Sequence, residues 1–393
     1  MTLFSRACIA ILVGLSLGVT LVVGSQLSQP RQVDQARTAE ARLLREVLDR
    51  VRAEYVDPVD DARLMEAAIR GMVADLDAHS QFLDEDEFDD IRVGATGHYS
   101  GVGLEVTLVG HDVTVITPFE GSPADRAGIR AGDIIVAIDD YPADGDELFA
   151  TIHRMRGEAG TPVTLSVLRP SSEEMLRFEL HRQRLQISSV NGRLLAPGLG
   201  YVRISQFHEE TAMQMQQMLA QLGEENLTPL RGVVLDLRDN PGGLLDAAVD
   251  VADLLLDEGM IVSARGRSSE AGFEHHAVRG SIVPDATMIV LVNGASASAA
   301  EIVAGALRDN ERARLLGTST FGKGLVQTVM PLSRGQAIKL TTSRYYTPSG
   351  DYIQNKGITP DIVVRNEPNG QDKQLQEAQR LISNTTLVLN DTP

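Results

Sequence analysis

The chain has 393 residues, is 43% hydrophobic and carries a formal net charge of −18 at pH 7. This length suits two or three domains, and the composition is ordinary for globular protein. The acidic balance, with no cluster of basic residues, argues against nucleic acid as a partner. The single cysteine, Cys8, excludes an intrachain disulfide and a cysteine-based metal site.

The N-terminus has the pattern of a targeting segment. Arg6 precedes an apolar run from Ala7 to Gly24, which is long enough to cross a bilayer as a helix. Small residues before Ser25 also fit a cleavage site. Residues 1–30 are therefore predicted to be a membrane anchor or a cleaved signal peptide with its linker. In both cases the rest of the chain is expected to be exported.

Residues 31–96 are predicted to form a small helical region. Apolar residues recur at helical spacing after Ala36 and again between Asp61 and Leu76, and Asp57-Pro58 ends the first helix. The acidic run from Asp84 to Asp90 fits either a solvated face or the start of a helix.

A β-rich module is predicted over residues 97–182. It contains Gly101-Val102-Gly103-Leu104, then a Ser-Pro-Ala and an Ala-Gly-Ile series, then Gly132-Asp133-Ile134-Ile135. Together these motifs resemble a PDZ domain. Such a glycine-flanked loop presents backbone N–H groups to a terminal carboxylate, and the strand beside it accepts a peptide strand. Gly101, Val102, Gly103 and Leu104 are therefore candidate peptide-binding residues, although the two glycines would also suit a simple tight turn.

Residues 183–370 alternate apolar strand runs with helical patterns. Strands that are apolar almost throughout, such as Thr287–Val292, indicate a sheet covered on both faces and hence an α/β domain. Further strands are predicted at Leu199–Ser205, Gly232–Leu237, Ile261–Ala264, Ala313–Gly317, Gln327–Pro331 and Ala337–Arg344. Helices are predicted at Glu209–Leu222, Leu244–Leu256 and Ser298–Asp309. The tail, residues 371–393, is predicted to be a short packing helix with a loose end.

Ser298 is the candidate nucleophile. It follows a strand and a small-residue turn and opens a helix, where free N–H groups and the helix dipole favour negative charge. The N–H of Ala299 is then a natural donor to an oxyanion. A second donor is expected from Gly242 or Gly243, which also join a strand to a helix. Taken alone, Ser298 would equally suit a helix N-cap.

Lys323 is the candidate base. A lysine is protonated at neutral pH unless burial lowers its pKa. Lys323 lies between two glycines and close to Phe321 and Leu325, and Gln327 is placed to orient its amine. Taken alone, Lys323 would read as a surface lysine in a glycine loop.

From about Leu43 to Val364 the chain resembles the carboxy-terminal processing peptidases, also called tail-specific proteases. The shared motifs include Arg238-Asp239-Asn240-Pro241-Gly242-Gly243, Ser296-Ala297-Ser298-Ala299, Phe321-Gly322-Lys323-Gly324 and Tyr345-Tyr346-Thr347-Pro348. The resemblance implies that Ser298 is the nucleophile, Lys323 the base and Gln327 its partner, with Asp309 in a supporting role. Where this family usually has another serine, the chain has Ala300.

The resemblance also implies an α/β core of the crotonase and Clp-protease kind, built of ββα units, with an inserted PDZ domain and an N-terminal helical segment. The expected function is a serine endopeptidase that recognises protein C-terminal tails at the periplasmic side of the bacterial cell envelope, anchored to the inner membrane or soluble. No cofactor or metal is expected. A homo-oligomer and an adaptor protein remain open as partners.

Two rival interpretations remain. A Ser-His-Asp triad would draw its base from His208, His275 or His276, of which the last two fall in a polar stretch, Arg265 to Ser281, that is expected to be an exposed loop. Alternatively, the protein is a catalytically idle PDZ protein that binds tails without cutting them.

Overall fold

The fold is that of a computed structural model, which describes residues 39–143, 145, 148–268, 271–278, 280–366 and 370–390. The leader predicted at residues 1–30 lies outside these residues. Within the described part of the chain, no helix is both long and apolar enough to span a membrane. The chain divides into two compact units, Met1–Ala78 and His79–Pro393.

The first unit contains the two predicted helices. They are α1, over residues 39–54, and α2, Asp61–Ala74. Asp60 caps α2, because its carboxylate accepts the N–H of Ala62 at 3.0 Å. The first helix ends before Asp57-Pro58, as the proline predicts.

The second unit opens with a short strand, β1 (Gln81–Leu83), and a helix, α3 (Glu85–Thr96). The acidic run predicted to be a solvated face or a helix start proves to start α3. Asp84 accepts the N–H of Glu87 at 2.9 Å, and the Glu87 carboxylate accepts the N–H of Asp84 at 3.0 Å. This reciprocal capping satisfies two helix-end donors and places negative charge at the positive end of the dipole.

The PDZ module follows and returns close to its starting point. Its elements are β2 (His98–Gly101), β3 (Leu104–Val109), β4 (Asp112–Pro118), α4 (Pro123–Ala127), β5 (Ile134–Ile138), β6 (Tyr141–Pro142), α5 (Leu148–Met155), β7 (Pro162–Arg169), β8 (Glu174–His181) and β9 (Gln183–Gln186). Its antiparallel sheet has the order β3-β4-β5-β7-β8, with β6 paired to β5. The entering strand β2 pairs with the leaving strand β9, so the module is a single insertion.

The remaining elements form the core domain. They are β10 (Val190–Ala196), β11 (Leu199–Ile204), α6 (Thr211–Asn226), β12 (Gly232–Asp236), α7 (Leu245–Leu255), β13 (Met260–Gly266), β14 (Phe273–His276), β15 (Thr287–Val292), α8 (Ala299–Asp309), β16 (Arg314–Gly317), β17 (Leu325–Pro331), β18 (Ala337–Tyr346), β19 (Ile362–Val363) and α9 (Lys373–Asn390). The predicted α/β alternation is confirmed.

One sheet has the order β10-β11-β12-β15-β16-β19 and is parallel from β11 onwards. Its two faces bury alternate residues. Val233 and Leu235 pack with helices α6, α7 and α8, whereas Val234 packs with Ala378 and Ile382 of α9. Burial on both faces is the reason that these strands are apolar at nearly every position.

The other core sheet pairs β18 with β1, β13 and β17, and β14 lies at its edge. The prediction of an exposed loop from Arg265 to Ser281 is wrong, because β13 continues to Gly266 and Phe273–His276 form β14. In this short edge strand half-buried and exposed residues alternate and only Phe273 is apolar, so it carries little hydrophobic signal and its pairing with β13 is not visible in the sequence.

Candidate active site

A cleft of about 500 Å³ lies where the start of α8 faces β17 and β18. Its walls include Ser298, Ala299, Lys323, Gln327 and Gly243. The structure thus brings together the predicted nucleophile, base, base partner and two of the three predicted oxyanion residues, although they come from three separate stretches of chain. A cleft of this size suits a bound ligand.

Ser298 sits in a strained turn between β15 and α8. Its φ of 55° and ψ of −117° lie in a region that residues with a side chain rarely occupy. Such a conformation costs about 1–3 kcal/mol and persists only where the surroundings hold it. The sharp strand-to-helix turn exposes the side chain at the cleft, the arrangement that a nucleophilic serine at an elbow requires.

The N–H groups around Ser298 differ in availability. Gly242 donates its N–H to Asn240 Oδ1 at 2.9 Å, so this donor is already committed. Gly243 forms a parallel bridge with Phe207. The hydrogen bonds of this bridge join Phe207 to the neighbours of Gly243, since Phe207 donates its N–H to Gly242 O and Leu244 donates its N–H to Phe207 O. The N–H groups of Gly243 and Ala299 have no hydrogen-bond partner among the described residues. These two therefore remain as the donors that can meet an oxyanion.

Gly242→Ala is expected to lower kcat at least tenfold. A Cβ at Gly242, whose φ is 106°, would lie 2.8 Å from Ser298 Cβ and 3.1 Å from Ala299 N, so the nucleophile or its oxyanion donor must move. Steady-state kinetics and thermal unfolding test this. Gly223→Ala on α6 is the control, since an added Cβ there meets nothing within 4 Å. Equal kcat for the two alanine variants would contradict the prediction.

The Lys323 side chain is half-buried in the wall of the cleft. Burial lowers its pKa below the ordinary lysine value, and the positive charge of Lys339 lowers it further. In the described part of the chain no carboxylate pairs with its amine. Both effects favour the neutral amine, which is the form that can accept a proton.

Gln327 lies on β17 beside this lysine in the cleft wall. Its Nε2 is 3.5 Å from Thr341 Oγ1 on β18, and no hydrogen bond joins it to Lys323 in this structure. The side-chain oxygen of Gln327 is therefore free to accept a hydrogen bond from the lysine amine.

Glu301 joins Ser298 to Lys323 and is not among the predicted site residues. This fully buried carboxylate accepts the N–H of Ser298 at 2.9 Å and the N–H of Lys323 at 2.8 Å through the same oxygen, Oε2. The two backbone nitrogens cannot be further apart than the sum of those distances. The spacing Ser-x-x-Glu at a helix start is a capping-box signature. This pattern in the sequence could have identified Glu301 as a residue that contacts the backbone of Ser298.

The second oxygen of Glu301 holds the loop before the lysine. Oε1 accepts the hydroxyl of Thr320 at 2.5 Å and the N–H of Gly322 at 2.8 Å. Tyr345, which is 1% exposed, places its hydroxyl 2.5 Å from the carbonyl oxygen of Lys323 and 3.2 Å from that of Ser298. Both carboxylate oxygens of Glu301 are thus hydrogen-bonded, and the segments that carry Ser298 and Lys323 are tied together from two sides.

Asp309 lies at the far end of α8, away from the cleft wall. Its carboxylate accepts the N–H of Ser349 at 3.0 Å and pairs with Arg308 at 2.7 Å. Burial alone would raise the pKa of Asp309, but hydrogen bonds from Ser349, Thr347 and Arg308 hold it below the ordinary value. Asp309 thus pins the Thr347–Gly350 turn against α8. Ala300 is fully buried inside the same helix.

The histidines proposed for a triad lie outside the residues that line this cleft. His208 is 3% exposed, its Nε2 is 2.9 Å from the Ile187 carbonyl oxygen, and burial lowers its pKa. His275 and His276 lie on the edge strand β14. The cleft that holds Ser298 therefore offers lysine, and no histidine, as a base.

The PDZ module contains a second groove, of about 210 Å³, between β3 and α5. Residues lining it include Val102, Gly103, Leu104, Val106, Phe119, Ile152 and Met155. Gly101 does not line it, because it pairs with Gln183 in the β2–β9 ribbon. Among the described strands, β3 lies at the edge of its sheet and pairs with β4 alone, so its other edge can accept a peptide strand.

The loop before β3 is oriented by its carbonyl groups. Val102 O accepts the N–H of Ala124, and Gly103 O accepts the N–H of Phe119, both at 3.0 Å. In a trans peptide the following N–H points the opposite way. The N–H groups of Gly103 and Leu104 are therefore directed away from these contacts.

The PDZ module also contacts a wall of the cleft. Asp90 of α3 lines the cleft, and its carboxylate receives hydrogen bonds from Arg156, just beyond α5, and from His153 Nε2 at 3.1 Å. The helix that forms one side of the groove is thus connected by an ion pair to a helix that lines the cleft.

Two family profiles match the chain. That of Peptidase family S41 matches residues 198–364, and that of the PDZ domain matches residues 100–180. The carboxy-terminal-processing protease of Bartonella bacilliformis is 41% identical over 360 residues, covering 91% of this chain and 82% of that protein. The carboxyl-terminal-processing protease of Synechocystis sp. is 38% identical over 322 residues, covering 80% of this chain and 74% of that protein.

Among solved structures, the photosystem II D1 C-terminal processing protease superposes with a TM-score of 0.50 at 36% identity, covering 84% of this chain and 88% of that one. The fold and these matches define a serine peptidase with an inserted PDZ domain, which confirms the predicted fold and enzyme class. The chain belongs to the carboxy-terminal-processing proteases of peptidase family S41.

Proposed function

We propose that this peptidase is an exported endopeptidase that cuts envelope proteins by a Ser298/Lys323 dyad after its PDZ module has bound their C-terminal tails. The observation that supports the dyad best is the single carboxylate oxygen of Glu301, which accepts the backbone N–H of both residues. The peptidase core would then be residues 183–370 and the recognition module residues 97–182.

In the proposed mechanism the neutral amine of Lys323 takes the hydroxyl proton of Ser298 as its Oγ attacks the peptide carbonyl carbon. The N–H groups of Ala299 and Gly243 stabilise the oxyanion. Lys323 then gives the proton to the leaving amine, and the C–N bond breaks to leave an acyl-enzyme. Water, deprotonated by Lys323, releases the acid and restores Ser298. Gln327 orients the lysine amine.

In the proposed recognition step, the N–H groups of Gly103 and Leu104 bind the terminal carboxylate of the tail. The tail would extend β3 as a further strand, and its apolar side chains would enter the groove lined by Val106 and Ile152. Apolar tails are thus the expected substrates. The connection through Asp90 gives tail binding a route to the cleft.

The test is cleavage of an unfolded reporter protein that ends in an apolar tail, in the same tail with an amidated end, or in a charged tail. Wild type is expected to cut the free apolar tail at least tenfold faster than the others. Ile152→Glu, which sets a negative charge in the groove, should remove that preference. Ile116→Glu is the matched control, since Ile116 is already exposed and does not line the groove.

Two results would overturn the proposal in different ways. Binding of the apolar tail with no cleavage of any reporter would favour the catalytically idle tail-binding protein. Cleavage that is equally fast for all three tails and unchanged in Ile152→Glu would keep the peptidase but remove the PDZ module from substrate recognition.

A further inference from the structure

The cleft carries more positive charge than its chemistry requires. The described charged residues that line it are Lys323, Lys339 and Asp90. The proposed chemistry uses Lys323, and the carboxylate of Asp90 is already held by Arg156 and His153. Within the described residues, Lys339 has no carboxylate partner. This is unusual in a chain with a net charge of −18, where exposed carboxylates are abundant.

The position of Lys339 follows from strand register. Side chains alternate along a strand, so Lys339 and Thr341 of β18 share one face, and Lys339 lines the cleft. Across the sheet, Thr341 pairs with Gln327 and Lys339 pairs with Val329. Lys339 therefore lies two residues, or about 7 Å, beyond the row of Gln327.

A substrate in this cleft would pass Lys339 after the scissile bond has been placed at Ser298. An extended peptide also advances about 3.3 Å per residue. Ser298 and Lys339 line one cleft of about 500 Å³, so a substrate group that reaches Lys339 belongs to a residue within about three positions of the bond that is cut. A partly buried ammonium with no counter-charge favours an anionic group at that point.

We propose that Lys339 is a specificity residue that binds a substrate carboxylate within about three residues of the scissile bond. This inference rests on the proposed peptidase function of the Ser298 cleft. The carboxylate has two sources, an Asp or Glu side chain or the free C-terminus of a short tail. Both offer the same charge-assisted hydrogen bonds to an ammonium group.

The experiment uses the full chain and a peptide cut by wild type. Residues within three positions of the cut are replaced one at a time by Glu and by Gln, and a short peptide ending at each position is tested as acid and as amide. Wild type is expected to prefer the carboxylate about fivefold to tenfold in kcat/KM at one position. A preference in the Glu series or in the acid series identifies the source.

Lys339→Met should bring that ratio to about one, and Lys339→Glu should reverse it in favour of a Lys peptide. Lys356→Met, which changes an exposed lysine outside the cleft, should keep the wild-type ratio. Values are compared at the high-pH plateau of each variant, because removing Lys339 raises the pKa of Lys323 and shifts the profile of every peptide. A ratio, unlike a rate, does not change with such a shift.

Three results would overturn the inference. The first is that the wild-type enzyme shows no preference for a carboxylate at any position. The second is that the preference is unchanged in Lys339→Met. A Lys339→Met variant that changes only the pH profile shows that this lysine acts on Lys323 alone. Wild type that cuts no peptide at all overturns the proposed function itself, which separates the two failures.

Discussion

Lys323→Met is expected to lower kcat/KM by about 10⁴-fold or more, to the level of Ser298→Ala. Methionine keeps the length and apolar contacts of the lysine stem but cannot accept a proton. Because the serine and its base act as one unit, the double variant should be no slower than either single variant. Single-turnover cleavage of a tail reporter measures all three.

The same lysine should set the pH dependence. Burial and Lys339 lower the pKa of Lys323, so the wild-type rate should rise as pH rises through that lowered pKa and then level off. Below this pKa the Lys323 amine is protonated in both states, but the folded state binds that proton less tightly than the unfolded chain does. The free energy of unfolding is therefore reduced at low pH. Stability therefore increases as pH rises from the folded pKa towards the ordinary lysine value, and Lys323→Met should melt at a higher temperature than wild type near neutral pH.

Lys356→Met provides the matched control, because this exposed lysine lies outside the cleft. It should leave both the rate and its pH profile unchanged. A Lys323→Met variant that keeps the rate within tenfold of wild type would show that another group is the base.

Glu301→Gln is expected to lower kcat about 100-fold and to destabilise the fold by several kcal/mol. The carboxylate accepts three N–H groups and one hydroxyl, whereas glutamine presents an NH₂ group to two of those donors. Each orphaned buried donor costs about 1–3 kcal/mol. The positions of Ser298 and Lys323 would relax, and a misplacement of about 1 Å costs about 100-fold in rate.

Kinetics and thermal unfolding, read together, test the role of Glu301 in positioning. A serine-directed phosphonate should label Ser298 more slowly in Glu301→Gln than in wild type while the variant is still folded. Glu224→Gln on α6 is the control, since Glu224 is exposed. A folded Glu301→Gln enzyme with wild-type kcat and labelling rate would show that the shared carboxylate does not position the site.

Much of this architecture is readable from short-range pattern. The apolar run Thr287–Val292 forms β15 with the predicted ends, because a strand buried on both faces must be apolar at each position. The helix predicted at Ser298–Asp309 appears as Ala299–Asp309, with Ser298 at its start. The motifs and their order in the sequence predicted Ser298, Lys323 and Gln327 as site residues, and each of them lines the cleft.

Other features depend on residues distant in sequence. Arg238, for example, pairs with Asp372 and Gln374 at the start of α9, which ties the C-terminal helix beside the segment that carries Gly243. No local spacing predicts such a contact. The edge strand β14 is not predicted from the sequence for the same reason. Its own residues show no strand pattern, and it is defined by its pairing with β13.

The sequence by itself thus determined the class of fold, the family and the chemical groups at hand, because burial periodicity and motif identity are local properties of the chain. Only the tertiary structure decided that Gly242 is committed to Asn240, that Tyr345 reaches the carbonyl of Lys323, and that one oxygen of Glu301 accepts the N–H groups of both Ser298 and Lys323. Hydrogen bonds are directional and reach only about 3 Å, so their partners are known only once the packed elements have set the distances.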